Sequence, residues 1–387
     1  MKLQEVIYLE WQALFRRKSP VVLLLFGLPV LYTLLFGFAY RSNVIKYVPV
    51  VIYDQDQTAA SRALIQAYLD SERYQVVAQV NTQEAMEQML RENKALAAVS
   101  IPSDFAQNIK LGIASEVLIL TNATNNMFAN TVISSSQEIL QTFSAATGQK
   151  LLEGLNQMPN PALHSAAPVK LGIRIMNNPT TSYTNFMLPG LAANGLQIAI
   201  LLVAGTLVAK EYSCLSRWQG TSSSIIIAGK LLPCWLCSLG AFLAFLPVLT
   251  IGFSVPFRGN LTGILLLGST FTFLVTNLCL FFSAVIGNPA KALKAPLLYI
   301  MPGLLFSGLS WPQLSMDGFA QAFSALMPLT YMADTLRDLL LSGYSPDLLK
   351  NAAIMVSGGG VLNLLTILAF SWRRKKAQCQ PIKEVLL

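Results

Sequence analysis

The sequence predicts an α-helical integral membrane protein with six transmembrane helices and an inserted α/β extracytoplasmic domain. Three observations predict it. Hydrophobic residues make up 53% of the 387 residues and charged residues only 12%, about half the charge of a soluble globular chain. The apolar residues gather in runs long enough to cross a hydrocarbon core of about 30 Å. One long hydrophilic stretch, 41–185, interrupts them after the first run.

Residues 1–19 place Leu3, Val6, Ile7, Trp11, Leu14 and Phe15 close to i, i+3, i+4, i+7 spacing. That predicts an amphipathic helix lying at the cytoplasmic interface. The first span, 20–40, holds the run Val21–Tyr40 behind Arg16, Arg17 and Lys18. The run is too long for a signal-peptide core and lacks a small-residue cleavage site, so a retained anchor is expected. Within 41–185, strand and helix signals alternate. Strands are expected at Val48–Tyr53, Tyr74–Val80, Ala95–Ile101 and Glu116–Leu120, with a returning strand at Val169–Met176. Helices are expected at Ser61–Leu69, at Thr82–Glu92, after Pro102-Ser103-Asp104, and from Asn126 to about Leu155. A Pro-rich loop follows the last of these. Alternation of this kind implies a layered α/β domain. The five-helix membrane domain, 186–372, holds the runs Leu188–Ala209, Leu231–Phe253, Leu261–Gly287, Leu297–Ser310 and Ala352–Trp372, with an outward segment at 311–350. The run ending at Ser310 is short unless it extends back to Ala292 or the chain after it re-enters the membrane. Residues 373–387 form a basic tail.

The net charge of +8 is explained by topology. Fourteen Lys and Arg fall in the N-terminus, the 210–230 loop, the 288–295 loop and the tail, against three in the opposite short loops. Short loops decide orientation, so both termini are expected in the cytoplasm of a cell (inner) membrane protein, with 41–185 outside. Nucleic acid is not an expected partner; membrane lipid is. Trp11, Trp218, Trp311 and Trp372 sit near span ends, as interfacial aromatics do. With these boundaries no Lys, Arg, Asp or Glu lies inside a span. That argues against an ion-coupled carrier, whose relays use buried charge.

Catalytic, cofactor and metal sites are not expected. The sequence has one His, His164, and no GxxxxGK[ST] phosphate loop. Asp54 and Asp56 form a carboxylate pair at a strand end, where Asp serves backbone turns more often than a metal. Cys234-Trp235-Leu236-Cys237 has redox spacing but opens an apolar run, where Cys usually packs. The chain is therefore read as a non-enzyme that binds no cofactor.

Several segments carry a likeness to a known family. They are EWQALFRRKSPVVLLLFGLPVLYTLLFGFAY, VPVVIYDQDQTAASRALI, AAVSIPSDFAQNIKLG, NNPTTSYTNFMLPGL and, most specifically, LLFSGLSWPQLSMDGFAQAFSALMPLTYMADTLRDLLLSG. In the last, Phe306, Ser307, Gly308, Pro312, Pro328, Leu329, Thr330, Tyr331 and Arg337 fall on the family signature. From Glu10 to about Trp372 the chain resembles permease subunits of ABC transporters of the ABC type-2 membrane class, in the drug-efflux-like branch. The resemblance implies an exporter permease for a hydrophobic or amphiphilic compound. It implies a separate cytoplasmic ABC ATPase subunit that uses the ATP, a second permease copy or paralogue, and in efflux systems a periplasmic adaptor. Export of a lipid-linked glycan or envelope component, and a non-transporting receptor or scaffold, remain as alternatives.

The chain departs from the family between the second and third spans. There it has Lys210-Glu211-Tyr212-Ser213-Cys214, with Gly220-Thr221 later. A helix in this loop would offer Lys210, Glu211, Tyr212, Arg217 and Trp218 as an aromatic anchor with flanking charges, the composition of a binding hot spot. These five are the expected ATPase-coupling residues.

Overall fold

The computed structural model describes residues 1–15, 21–42, 44–124, 126–154 and 176–378. Arg16, Arg17 and Lys18, the Pro-rich loop with His164, the strand expected over 169–175, and the tail beyond Gln378 lie outside the described residues. The chain divides into two compact units, Val44–Arg174 and Met1–Asn43 with Ile175–Leu387.

Among its described residues, Val44–Arg174 holds a four-stranded sheet with helices. Its elements are β1 (Val48–Asp54), α3 (Ala59–Leu69), β2 (Tyr74–Val80), α4 (Gln83–Arg91), β3 (Ala97–Ile101), α5 (Phe105–Leu111), β4 (Leu118–Thr121) and α6 (Asn126–Gly154). Strand order is β2-β1-β3-β4. β1 pairs in parallel with β2 and β3, and β4 runs antiparallel to β3. Alternation along β1 sends Val48, Val50 and Ile52 to a core with Leu64, Tyr68 and Val132, while Val51 packs on the other face with Met86. Asp54 and Asp56 build the turn that starts α3. Asp54 accepts from the backbone N–H of Asp56 and Gln57 and from the Ser61 hydroxyl, and Thr58 caps the helix.

The other unit is helical. An N-terminal helix, α1 (Leu3–Leu14), precedes a π-turn at Leu23–Gly27 that runs into α2 (Leu28–Ala39). Then come α7 (Tyr183–Ala204), α8 (Ser223–Pro247), α9 (Leu261–Ile286), α10 (Pro289–Ile300), α11 (Gly303–Phe306), α12 (Gly318–Ser324), α13 (Pro328–Leu341) and α14 (Leu348–Gln378). Among the described residues four helical stretches are long and apolar enough to cross a membrane, and Leu23–Ala39 is a shorter apolar helix. Polar side chains join the helices where backbones come close. Asn194 donates to Tyr32 Oη at 3.2 Å beside Gly195, and Asn363 donates to Asn277 at 2.9 Å.

Two expectations about the spans are corrected. The predicted fifth span, Leu297–Ser310, is not one helix. Pro302 cannot donate an N–H to the turn before it, so α10 stops at Ile300 and α11 is a single turn. The chain then reverses at Gly308, whose φ of +88° suits only glycine at low cost. The third span begins at Ser223, capped by Ser222, and not at Leu231. This places Lys230 within that helix, one residue before the run Leu231–Phe253.

Candidate functional site

The connection between α7 and α8 folds as two 3-10 turns, Ala209–Ser213 and Leu215–Trp218. It is too short to hold itself, and neighbouring helices fix it. The backbone N–H groups of Val208 and Ala209 donate to Ser283 Oγ at 3.2 and 2.9 Å. Tyr212 Oη donates to the Ala284 carbonyl at 2.9 Å. From α14, Arg374 donates to the Trp218 and Thr221 carbonyls, each at 2.6 Å. Arg373 lies over the Tyr212 ring at 5.6 Å. α9 and α14 therefore clamp the loop from two sides.

The five residues singled out here in the sequence take different positions. Lys210 and Arg217 are exposed, and Glu211 and Tyr212 are half-buried. Trp218 is 2% exposed, packed among Val6, Val208, Ile226, Ile227 and Phe370. An aromatic anchor presented outward is thus corrected: the indole turns inward, where its N–H donates to Glu211 Oε2 at 2.5 Å. Burial of an indole with its N–H satisfied is the favourable arrangement.

A charge cluster that the sequence reading missed lies behind the loop. Lys230 Nζ sits 2.7 Å from Glu211 Oε1 and 2.9 Å from Glu10 Oε2. The Lys230 side chain is 2% exposed, against 10% for Glu10 and 14% for Glu211. Two carboxylates thus share one ammonium. Buried charge is tolerated only with partners of this quality. A sequence signal existed for Glu10: Val6, Glu10 and Leu14 repeat at i, i+4, i+8, and all three are buried on one face of α1. A charged residue on the apolar stripe of a helix asks for a buried partner. Nothing in the sequence pointed from Glu10 to Lys230, which is 220 residues away. Beside Lys230, Gly229 lets α1 approach α8. A Cβ there would lie 2.4 Å from Val6 Cγ1.

The cluster floors a cleft of about 630 Å³, walled by Leu14, Val21, Leu207 and Trp218 and rimmed by Lys210 and Arg217.

The signature residues lie elsewhere, on the reversing stretch from α11 to α13. Phe306 packs edge-on against Phe323 at 5.0 Å. The Ser307 hydroxyl donates to the Leu304 carbonyl, Gly308 makes the reversal, and Pro312 precedes a 3-10 turn. Pro328 opens α13, where its missing N–H costs nothing, and Leu329 is buried. Thr330 and Tyr331 donate to the Ser324 and Ala325 carbonyls at 2.8 and 2.6 Å. Arg337 pairs with Asp334 at 2.6 Å and lies over the Phe186 ring at 4.6 Å. Burial pushes the Asp334 carboxyl above its ordinary range, and Arg337 pulls it back. These groups satisfy one another and build a turn.

Comparison with known proteins gives a consistent set of relatives. The family described as ABC-2 family transporter protein matches residues 20–368. The chain is 26% identical over 373 residues to the probable multidrug ABC transporter permease YbhR of Escherichia coli K12, covering 91% of this chain and 93% of that one. It is 21% identical over 364 residues to the probable multidrug ABC transporter permease YbhS of the same organism, with 90% of each covered. It also aligns with ABC transporter G family member 20 of Dictyostelium discoideum, at 25% identity over 185 residues, covering 44% of this chain and 24% of that one.

Proposed function

We propose, from the premise that this chain belongs to the ABC-2 transporter family, that it is the permease subunit of an ATP-driven exporter whose energy comes from a separate cytoplasmic ATPase. The observation that carries this reading is the α7–α8 loop. It joins two apolar helices directly, it is clamped by α9 and α14, and it leaves Lys210 and Arg217 exposed for a partner. A push on such a loop reaches membrane helices with little lost in flexing. The lack of a phosphate-loop motif fits a subunit that leaves hydrolysis to its partner. The cargo is a hydrophobic or amphiphilic compound, in keeping with relatives named as probable multidrug permeases. A second copy or paralogue completes the path, and a periplasmic adaptor receives the cargo. The protein sits in the inner membrane with both termini cytoplasmic, in keeping with the basic short loops.

Two experiments test this. The purified chain alone hydrolyses no ATP, and turnover appears when a nucleotide-binding partner is added. Turnover by the uncontaminated chain would contradict the reading. In intact cells with a permeable outer layer, an impermeant thiol reagent labels a Cys introduced at Ser71 and not one at Ser216. The opposite pattern would invert the orientation.

A further inference from the structure

We infer that Lys230 is a positioning residue that makes α1, the α7–α8 loop and α8 move as one body during coupling; this rests on the reading of that loop as the ATPase-facing element. Each of the three elements contributes one charge to a single buried point. Glu10 comes from α1, Glu211 from the loop and Lys230 from α8, with the ammonium at the vertex, 2.9 and 2.7 Å from its two acids. Trp218 holds the second oxygen of Glu211. A carboxylate that leaves Lys230 strips an ammonium only 2% exposed of one of its two partners, which is costly. One turn of helix away there is a second tie of a different kind, because the Val6 side chain seats directly on Gly229, which has no side chain to hold it off. A displacement of the loop therefore drags Lys230, and Lys230 drags α1. The N-terminal helix, which sequence alone presents as a passive surface helix, becomes part of the transmission.

A buried cluster of this kind could equally serve only to hold the fold, and the two roles separate in a double variant. Glu10→Gln with Lys230→Met removes the vertex and one acid, leaves Glu211 with its Trp218 hydrogen bond, and keeps the formal charge of the cluster at one negative. The wild-type protein, the double variant and Lys230→Arg are each co-expressed with the ATPase partner. Three quantities are read: membrane insertion, co-purification of the partner, and the increment of ATP turnover caused by ethidium, an amphiphilic cation, in lipid vesicles. The double variant inserts and retains the partner, while its ethidium-stimulated increment falls roughly tenfold, an ordinary size for a coupling effect. Lys230→Arg, which preserves the charge and both contacts, stays within about threefold of wild type on the same scale. A double variant that couples as well as wild type makes the cluster structural and overturns the inference alone. A wild-type complex whose turnover ignores ethidium overturns the functional reading, and the inference with it.

Discussion

Glu211→Lys removes partner-coupled ATP turnover and leaves the chain in the membrane fraction. The effect is expected to be the largest of any single change at the loop. The substitution sets a second ammonium beside Lys230, which then has only Glu10, and it strips the Trp218 N–H of its acceptor. Removing one partner of a buried ion pair costs about 3–5 kcal/mol, and placing like charges together adds to that. The loss is local, because the spanning helices keep their apolar faces and insertion depends on those. Exchanging the charges, Glu211→Lys with Lys230→Glu, returns two acids and one ammonium to the same site and recovers part of the turnover. A membrane-fraction blot, co-purification of the ATPase and turnover measurements check each step. Full turnover in Glu211→Lys would show that the loop is not the coupling element.

Gly229→Leu is the second large effect. A Cβ at this position would meet Val6 Cγ1 at 2.4 Å and Val6 Cβ at 2.8 Å, far inside van der Waals contact. Overpacking of this sort costs about 1–3 kcal/mol. The thermal midpoint in detergent falls and stimulated turnover drops with it, since α1 is pushed off α8. Combining it with Val6→Ala removes the Cγ1 clash but keeps the 2.8 Å approach to the residue 6 Cβ, so the midpoint recovers only in part. An unshifted midpoint in the single variant would mean that α1 is not seated on α8.

The inserted unit was legible almost residue by residue, and the membrane unit less so. Val48–Tyr53, Tyr74–Val80 and the long helix from Asn126 fall within a residue or so of the observed elements. Short strands bounded by Asp, Thr and Pro carry their own punctuation. In the membrane unit the apolar runs marked where helices lie and not where they begin. The Ser222 cap sits nine residues before Leu231, the first residue of the predicted span, because polar Ser223, Ser224 and Lys230 lower the hydropathy of a stretch that is nonetheless helical. That offset hid Lys230. At Pro302 and Gly308 the reverse happened: apolar composition continued through a break that backbone chemistry imposes. In the loop, the sequence named Glu211 and Trp218 but not their arrangement: they bond to each other and Glu211 to Lys230, while Tyr212 turns to Ala284 and Arg373, an outcome that depends on helix packing no local pattern encodes.

The central claim is export powered by a separate ATPase through this chain. Its most direct measurement is ethidium accumulation in inside-out membrane vesicles containing the wild-type chain, with and without its ATPase partner and with and without ATP. Accumulation is expected only when chain, partner and ATP are all present. Accumulation that persists after the ATPase is removed, or that needs no ATP, would contradict it.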